Sequence, residues 1–120
     1  MVMLDTNIIL RYLLNDDDRM ASEAEAIIKN MSVQVNIEIV AEVIYVLKGV
    51  YHIDRAEIGQ CLIEFLSEVN TPEPEVLKLG IETFVEQNLD FPDCILYAYH
   101  VVKGYEIKTF DKKLSKLLVQ

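Results

Sequence analysis

The sequence predicts an α/β fold in which parallel strands are covered by helices on both faces. Short apolar or alternating stretches at residues 1–4, 33–37 and 105–109 have the length and composition of strands. Longer segments between them carry apolar residues at helical spacing. This alternation indicates parallel strands, because two parallel neighbours need a long crossover connection that is usually a helix.

The first elements follow from the residue pattern. Residues 1–4 (MVML) are apolar enough for a buried strand, and apolar residues then recur at helical spacing over residues 6–14. The run NDDD at 15–18 breaks that pattern before a second helix at 19–31. Residues 33–37 (VQVNI) alternate apolar and polar side chains, which predicts the second strand.

The later helices are identified by the residues that start and stop them. Gly49 favours a helix end, Asp54 is a favourable N-cap, and Pro92 and Gly104 suit the first turn and the end of one helix. The remaining predicted elements are helices at 37–51, 55–69, 76–88, 90–104 and 111–118 and a strand at 105–109.

Size and composition favour one cytoplasmic domain over residues 1–120. A chain of 120 residues can bury roughly two-thirds of its unfolded surface and so can form one core. No apolar run reaches the ~18 residues of a membrane span, and the start MVMLDT lacks the features of a secretory signal. Cys61 and Cys94 have no metal-binding spacing, so we expect reduced, packed thiols.

The charge distribution is uneven. The formal net charge is −9, which argues against a non-specific nucleic-acid binder. Five of the 11 basic residues nevertheless lie in the last 18 residues, which hold only two acids. This basic segment is either a solvated helix face or a surface for a nucleic-acid backbone. Its lysines are Lys103, Lys108, Lys112, Lys113 and Lys116.

Several acidic residues lie at positions where active sites usually form in parallel α/β folds. Asp5 follows the first predicted strand and Asp111 follows the last one, and sites in parallel α/β sheets form at the carboxyl ends of strands. The structural alternative is helix capping, because aspartate is a common N-cap and suits the positive end of the helix dipole. That alternative applies to Asp5 and Asp111 and to the pair Asp90 and Asp93.

Glu42 is the only charged residue in the apolar stretch IVAEVIYVL. It lies either on a narrow exposed stripe of the helix or inside the protein with a partner. No Lys or Arg stands three or four residues away, so a cation is a physically adequate partner.

A shared cation would explain the acids together. If Asp5, Glu42, Asp93 and Asp111 converge, their repulsion raises pKa values or destabilises the fold unless divalent cations neutralise them. Oxygen ligands alone select hard ions such as Mg²⁺ or Mn²⁺. The sequence contains no P-loop, dinucleotide-binding or serine-hydrolase motif that would indicate another chemistry.

Four pieces of the chain carry a family resemblance. The pieces LDTNIILRYLL, IVAEVIYVL, LDFPDCILYAYH and KTFDKKL, in this order, resemble the PIN-domain nucleases. They are most similar to the small toxin ribonucleases of prokaryotic toxin–antitoxin pairs, often called VapC-like. The resemblance covers essentially the whole chain and implies a three-layer α/β/α sandwich with a central, mainly parallel sheet.

The same resemblance implies a site and an activity. It makes Asp5, Glu42, Asp93 and Asp111 the catalytic metal ligands, with Asp90 as an auxiliary ligand and with Asn7 and Thr109 orienting them. The implied activity is Mg²⁺- or Mn²⁺-dependent hydrolysis of RNA phosphodiester bonds, with Lys112, Lys113 and Lys116 steering the RNA backbone. A cognate antitoxin protein and self-association, as a homodimer, are the implied partners.

Two other function classes compete with the nuclease. A non-catalytic interaction module would keep the fold and use its apolar surplus for a partner, and a Mn²⁺ titration separates it from the enzyme. A phosphoacceptor receiver domain has a similar length and fold class. That class needs paired acids after the first strand, whereas LDTN supplies one.

Overall fold

The computed structural model describes residues 1–120, which divide into two compact units at residues 72 and 73. The first unit contains β1 (Val2–Met3), α1 (Thr6–Leu14), α2 (Asp18–Asn30), β2 (Val33–Gln34), α3 (Ile37–Gly49) and α4 (Arg55–Leu66). The second unit contains α5 (Pro74–Glu86), α6 (Phe91–Lys103) and α7 (Lys112–Leu118). Whether residues 1–120 behave as one domain stays a prediction.

The seven helices occur where the sequence pattern predicts them, with ends that differ by no more than three residues. The residues predicted to start and stop the helices explain this agreement. Asp54 caps α4 through its side chain, and Gly104 ends α6 in the left-handed region at φ 73°. Helix starts and stops are local features, so they can be recognised from a few neighbouring residues.

The sheet lies in the first unit and is small. β1 and β2 pair in parallel, with Val2 beside Val33 and Met3 beside Gln34. On the other side of β2, the main chain of Asn70 extends the sheet by a single bridge. The expected parallel pairing of the first two strands is therefore confirmed, although each strand is only two residues long.

The predicted strand at residues 105–109 does not form, and that prediction is wrong for this structure. The segment is irregular between the end of α6 and the start of α7. Its first residue is held on α6 instead, because the Tyr105 ring stacks on Tyr99 at 5.8 Å and the Tyr105 carbonyl lies 2.8 Å from Nδ1 of His100. A strand also needs a hydrogen-bonded neighbour, which local sequence does not specify.

In the first unit, α1 packs against α2 and α3, and α3 packs against α4. Apolar side chains on the helices and on the sheet are buried there, as their spacing predicts. The largest fully buried ones include Ile9, Val33, Val35, Val40, Leu47, Ile58, Leu62 and Phe65.

In the second unit, the close approach of α5 and α6 positions the first turn of α6. Gly80 of α5 faces Ile95 of α6, and a Cβ built at residue 80 would lie 2.5 Å from Cδ1 of Ile95. At the start of α6, the Phe91 ring packs edge-on against Phe84 at 6.1 Å. These contacts fix the turn that carries Asp93.

The chain is thus mostly helical with a small parallel sheet. Two strands do not establish the layered arrangement that the sequence predicts, which stays a prediction. None of the helices combines the length and the apolar character needed to cross a bilayer.

Candidate metal centre

Two aspartates outside the predicted site define how an ordinary cap looks in this protein. Asp17 begins α2, and its side chain accepts a hydrogen bond of 2.9 Å from the amide of Met20. Asp54 begins α4 and accepts an equally short bond from the amide of Glu57. These carboxylates are occupied by helix ends that otherwise have unsatisfied amides.

Asp5 and Asp90 occupy the same N-cap position on α1 and α6 but make no side-chain cap hydrogen bond. Asp111, at the start of α7, does cap, because one of its oxygens accepts a 2.8 Å bond from the amide of Leu114. The capping alternative therefore describes one oxygen of Asp111, and it does not describe the side chains of Asp5 and Asp90.

The second unit brings three of the predicted ligands into electrostatic contact. The pKa of Asp93 is raised, first by partial burial and then by the negative charges of Asp111 and Asp90. Asp90 and Asp93 share the first turn of α6, whereas Asp111 comes from the start of α7. Asp93 is half-buried and the other two are exposed, so this acid cluster opens to solvent.

Thr109 contributes to the position of Asp111. The hydroxyl oxygen of Thr109 accepts a hydrogen bond of 3.0 Å from the amide of Asp111. This contact fixes the main chain directly before α7, which in turn orients the Asp111 side chain. The predicted orienting role of Thr109 toward a metal ligand stays a prediction.

In the first unit, Asp5 directly precedes α1 and is exposed, as is Asn7 in the first turn of that helix. Between them, Thr6 is buried, and its hydroxyl has no hydrogen-bond partner. The main-chain carbonyl of Asp5 accepts the first helical bond, at 3.1 Å from the amide of Ile8. Asp5 thus starts the helix with its main chain while its carboxylate is not used for capping.

Glu42 lies on the exposed side of α3. The neighbouring residues Val40, Val43 and Ile44 of the same helix are buried. Of the two locations that the sequence left open, the structure therefore has the exposed stripe. An exposed carboxylate remains available to a cation, so its role as a ligand stays a prediction.

The predicted RNA-steering lysines lie on α7, and two of them border a cleft of about 330 Å³. Lys113 and Lys116 line it, and the Lys113 ammonium donates a 3.5 Å hydrogen bond to the main-chain carbonyl of Asn88. Lys112 is exposed on the first turn of the helix. The other residues lining the cleft are Gln87, Asn88, Leu89, Leu117 and Gln120.

Sequence reasoning missed two features of this region. The polar residues Gln87 and Asn88 join the lysine cleft, and the only sequence signal for them is a polar run directly before Asp90. Phe110, beside Asp111, is fully exposed, which no apolar periodicity predicts for an aromatic side chain. Chemically, the second unit presents carboxylate oxygens next to ammonium groups.

The carboxylates suit a hard divalent cation by donor type, because all of them offer oxygen. Asp5 and Glu42 belong to the first unit, and Asp90, Asp93 and Asp111 to the second. No group of three or more His, Cys, Asp or Glu side chains is arranged to hold a metal ion.

Comparison with known proteins identifies the family. No curated protein and no solved structure is similar enough to the chain to give a match. The family model described as the PIN domain matches residues 2–118, which is almost the whole chain. The chain therefore belongs to the PIN domain family.

Proposed function

We propose that this protein is a metal-dependent endoribonuclease that hydrolyses RNA phosphodiester bonds. PIN domains are generally nuclease folds, and PIN nucleases usually use divalent metals. The observation that carries the proposal is the raised pKa of Asp93, caused by its burial and by the charges of Asp111 and Asp90. A carboxyl group whose pKa is raised by burial and by neighbouring negative charges is a candidate for a functional site.

The proposed ligands are Asp5, Glu42, Asp90, Asp93 and Asp111, which together hold Mg²⁺ or Mn²⁺. Two observations support this set. The side chains of Asp5 and Asp90 do not cap their helices, unlike Asp17 and Asp54. The negative charges of Asp111 and Asp90 also act on Asp93, so a cation bound beside Asp93 would lower the free energy of the folded chain.

When held by these carboxylates, a divalent cation would supply an activated water and charge stabilisation at the phosphate. The protein residues do the rest. The carboxylates hold the ion, Thr109 fixes the main chain of Asp111, and Asn7 orients groups near Asp5. Lys112, Lys113 and Lys116 attract the RNA backbone, since lysine binds phosphate as a positive point charge.

The finer identity is part of the same proposal. The order of the four acidic pieces supports a toxin ribonuclease of a toxin–antitoxin pair, with an antitoxin as its protein partner. It also supports a three-layer α/β/α sandwich and self-association of the chain as a homodimer. Both cysteines are free thiols, which supports a reducing, cytoplasmic location.

The test replaces one proposed ligand and one ordinary cap. Asp5→Asn removes a ligand charge, and we expect it to abolish Mn²⁺-dependent RNA cleavage in a fluorescence assay while circular dichroism stays unchanged. Asp17→Asn is the matched control, because asparagine caps helices as well as aspartate does. That control should cleave at the wild-type rate.

Two outcomes would contradict the proposal. Wild-type cleavage by Asp5→Asn would show that Asp5 is not a ligand. Absence of both cleavage and Mn²⁺ binding in the wild-type protein would favour a non-catalytic interaction module with a PIN fold.

A further inference from the structure

We propose that the cleft beside α7 binds one nucleotide of a single-stranded RNA, with Lys113 and Lys116 on its phosphate and Asn88 on the edge of its base. The inference rests on the proposed nuclease function and makes Asn88 a residue that selects the RNA sequence. All the residues that carry it lie in the second unit.

Two walls from different parts of the second unit form the cleft. One wall is a face of α7, where Lys113 and Lys116 are three residues apart and so lie on the same side of the helix. The other wall is residues 87–89, between the end of α5 and the start of α6. The Lys113 ammonium reaches across to the main-chain carbonyl of Asn88. Each wall also contains a buried leucine, Leu117 or Leu89, which anchors it in the protein.

The cleft is basic although the chain is acidic. The formal net charge of the chain is −9, yet no Asp or Glu side chain lines the cleft. Lys113 and Lys116 are both exposed, and neither takes part in an ion pair. An ammonium group has three donors, so Lys113 keeps two after its contact with Asn88. The two lysines can therefore hold a phosphate group between them.

The size of the cleft favours a single strand. Its volume of about 330 Å³ is at the lower end of the range for small-molecule sites, so it takes one nucleotide and not a duplex. The bases of single-stranded RNA can turn outward, and proteins then read them by hydrogen bonds to their edges. Bases within an RNA duplex are not accessible in this way.

Asn88 is the group at the cleft best suited to read a base. Asn88 is exposed, and its main-chain carbonyl accepts the bond from Lys113 while its carboxamide has no partner in the protein. Gln87 beside it already interacts within the protein. A carboxamide presents a donor and an acceptor side by side, which match the edge of a base.

The cleft lies next to the acid cluster. Lys113 follows Asp111 by two residues, and Asn88 precedes Asp90 by two residues. Two residues of chain span at most about 7 Å, so both walls begin close to proposed metal ligands. An RNA strand with one phosphate at the acid cluster therefore places a nearby nucleotide in the cleft. The selected base should stand at a fixed distance from the cut.

The phosphate contacts are tested by RNA binding without metal. Fluorescence anisotropy with a short, labelled single-stranded RNA in the presence of EDTA keeps the RNA intact. Lys113→Ala and Lys116→Ala should each weaken binding and lower the slope of log affinity against log salt by about 0.7, since one phosphate contact is lost. Lys78→Ala removes an exposed lysine of α5 outside the cleft and should bind as wild type does. An unchanged slope in either cleft variant, or no binding by the wild-type protein, overturns the proposal.

The base contact is tested by sequencing the ends of cleaved RNA. With Mn²⁺ and a randomised RNA, the wild-type protein should prefer one base at a fixed distance from the cut by about tenfold. Asn88→Ala should lose this preference. Lys113→Ala and Lys116→Ala should keep it and slow the cleavage of all sequences alike. A preference that persists in Asn88→Ala, or a wild-type protein without one, overturns the base-reading role.

The cleft and the nuclease proposal fail in different ways. If the wild-type protein binds RNA with the expected salt slopes but does not cleave it, the nuclease proposal fails. The RNA that the protein retains without metal then shows whether one base is enriched and whether Asn88→Ala abolishes that enrichment. If RNA is cleaved but the slopes and the base preference are unchanged in the cleft variants, the cleft proposal fails and the nuclease proposal stands.

Discussion

Two carboxylates in this protein lie in opposite environments. Glu68, after α4, accepts hydrogen bonds from the Tyr12 hydroxyl at 2.6 Å and from the Lys29 ammonium at 3.1 Å. The pKa of Glu68 is lowered, chiefly by the Tyr12 hydrogen bond and also by Lys29. The pKa of Asp93 is raised by burial and by neighbouring aspartates. Glu68 accepts hydrogen bonds from two donors, whereas Asp93 lies near other negative charges.

The difference separates a structural acid from a candidate functional one. Glu68 joins α1 and α2 to the end of α4, so its negative charge is compensated by the protein itself. The charge of Asp93 is not compensated in the same way and costs stability, which is typical of sites kept for function. Exchanging each acid for its amide should therefore give opposite results in activity and in stability.

The largest expected effect is on catalysis. Asp93→Asn should lower Mn²⁺-dependent RNA cleavage by about a hundredfold or more, because it removes the charge of a proposed metal ligand. Glu68→Gln, the matched change in the compensated acid, should retain cleavage within a few-fold. Initial rates on a fluorescent RNA measure both. Equal losses in the two variants would show that the contrast has no functional meaning.

Metal binding should also distinguish Asp93 from Glu68. At a Mn²⁺ concentration of ten times the dissociation constant, the free energy of unfolding should rise by about 1.4 kcal/mol in wild type and in Glu68→Gln. Asp93→Asn should gain much less from the same addition. Urea unfolding with and without Mn²⁺ at constant ionic strength gives the comparison. An unchanged gain in Asp93→Asn would exclude this residue from the metal site.

The sequence identified the helix ends, because these depend only on neighbouring residues. The ends of α4 and α6 follow from Asp54 and Gly104, whose effects act within one turn. The strand at 105–109 could not be decided this way, because its side-chain pattern says nothing about whether a neighbour is present. The division of the chain into two units depends on long-range contacts and left no local signal.

Which residues form the candidate site stays a prediction, and the sequence did not determine the hydrogen bonds that each carboxylate makes. Residue type and position selected Asp5, Asp90 and Asp111 equally as caps or as ligands. The structure separates them, since of these three side chains only that of Asp111 accepts a hydrogen bond from its own helix. That choice depends on side-chain rotamers and on competing local hydrogen bonds, which the sequence does not fix.

Glu68→Gln should lower the free energy of unfolding by about 1 kcal/mol near neutral pH, because the charge-assisted hydrogen bond from Tyr12 becomes weaker. The pKa of Glu68 is lowered in the folded state, so its contribution is present above the ordinary glutamate pKa and is lost as pH falls through the folded-state value. Urea titrations at several pH values should therefore show the two proteins converging in acid. A constant difference would mean that Glu68 acts without its charge.

The smallest expected effect is on the stability of Asp93→Asn, and it has the opposite sign to that of Glu68→Gln. A raised pKa means that the folded chain holds the Asp93 proton more tightly than the unfolded chain does. Its favourable contribution is present below the ordinary aspartate pKa of about 4 and is lost as pH rises through the folded-state pKa. Without metal, Asp93→Asn should thus be more stable than wild type at pH 7 by about 0.5 kcal/mol, the size of a like-charge pair on a helix. The gain should vanish in acid, whereas a less stable variant at pH 7 would show that Asp93 is a structural acid like Glu68.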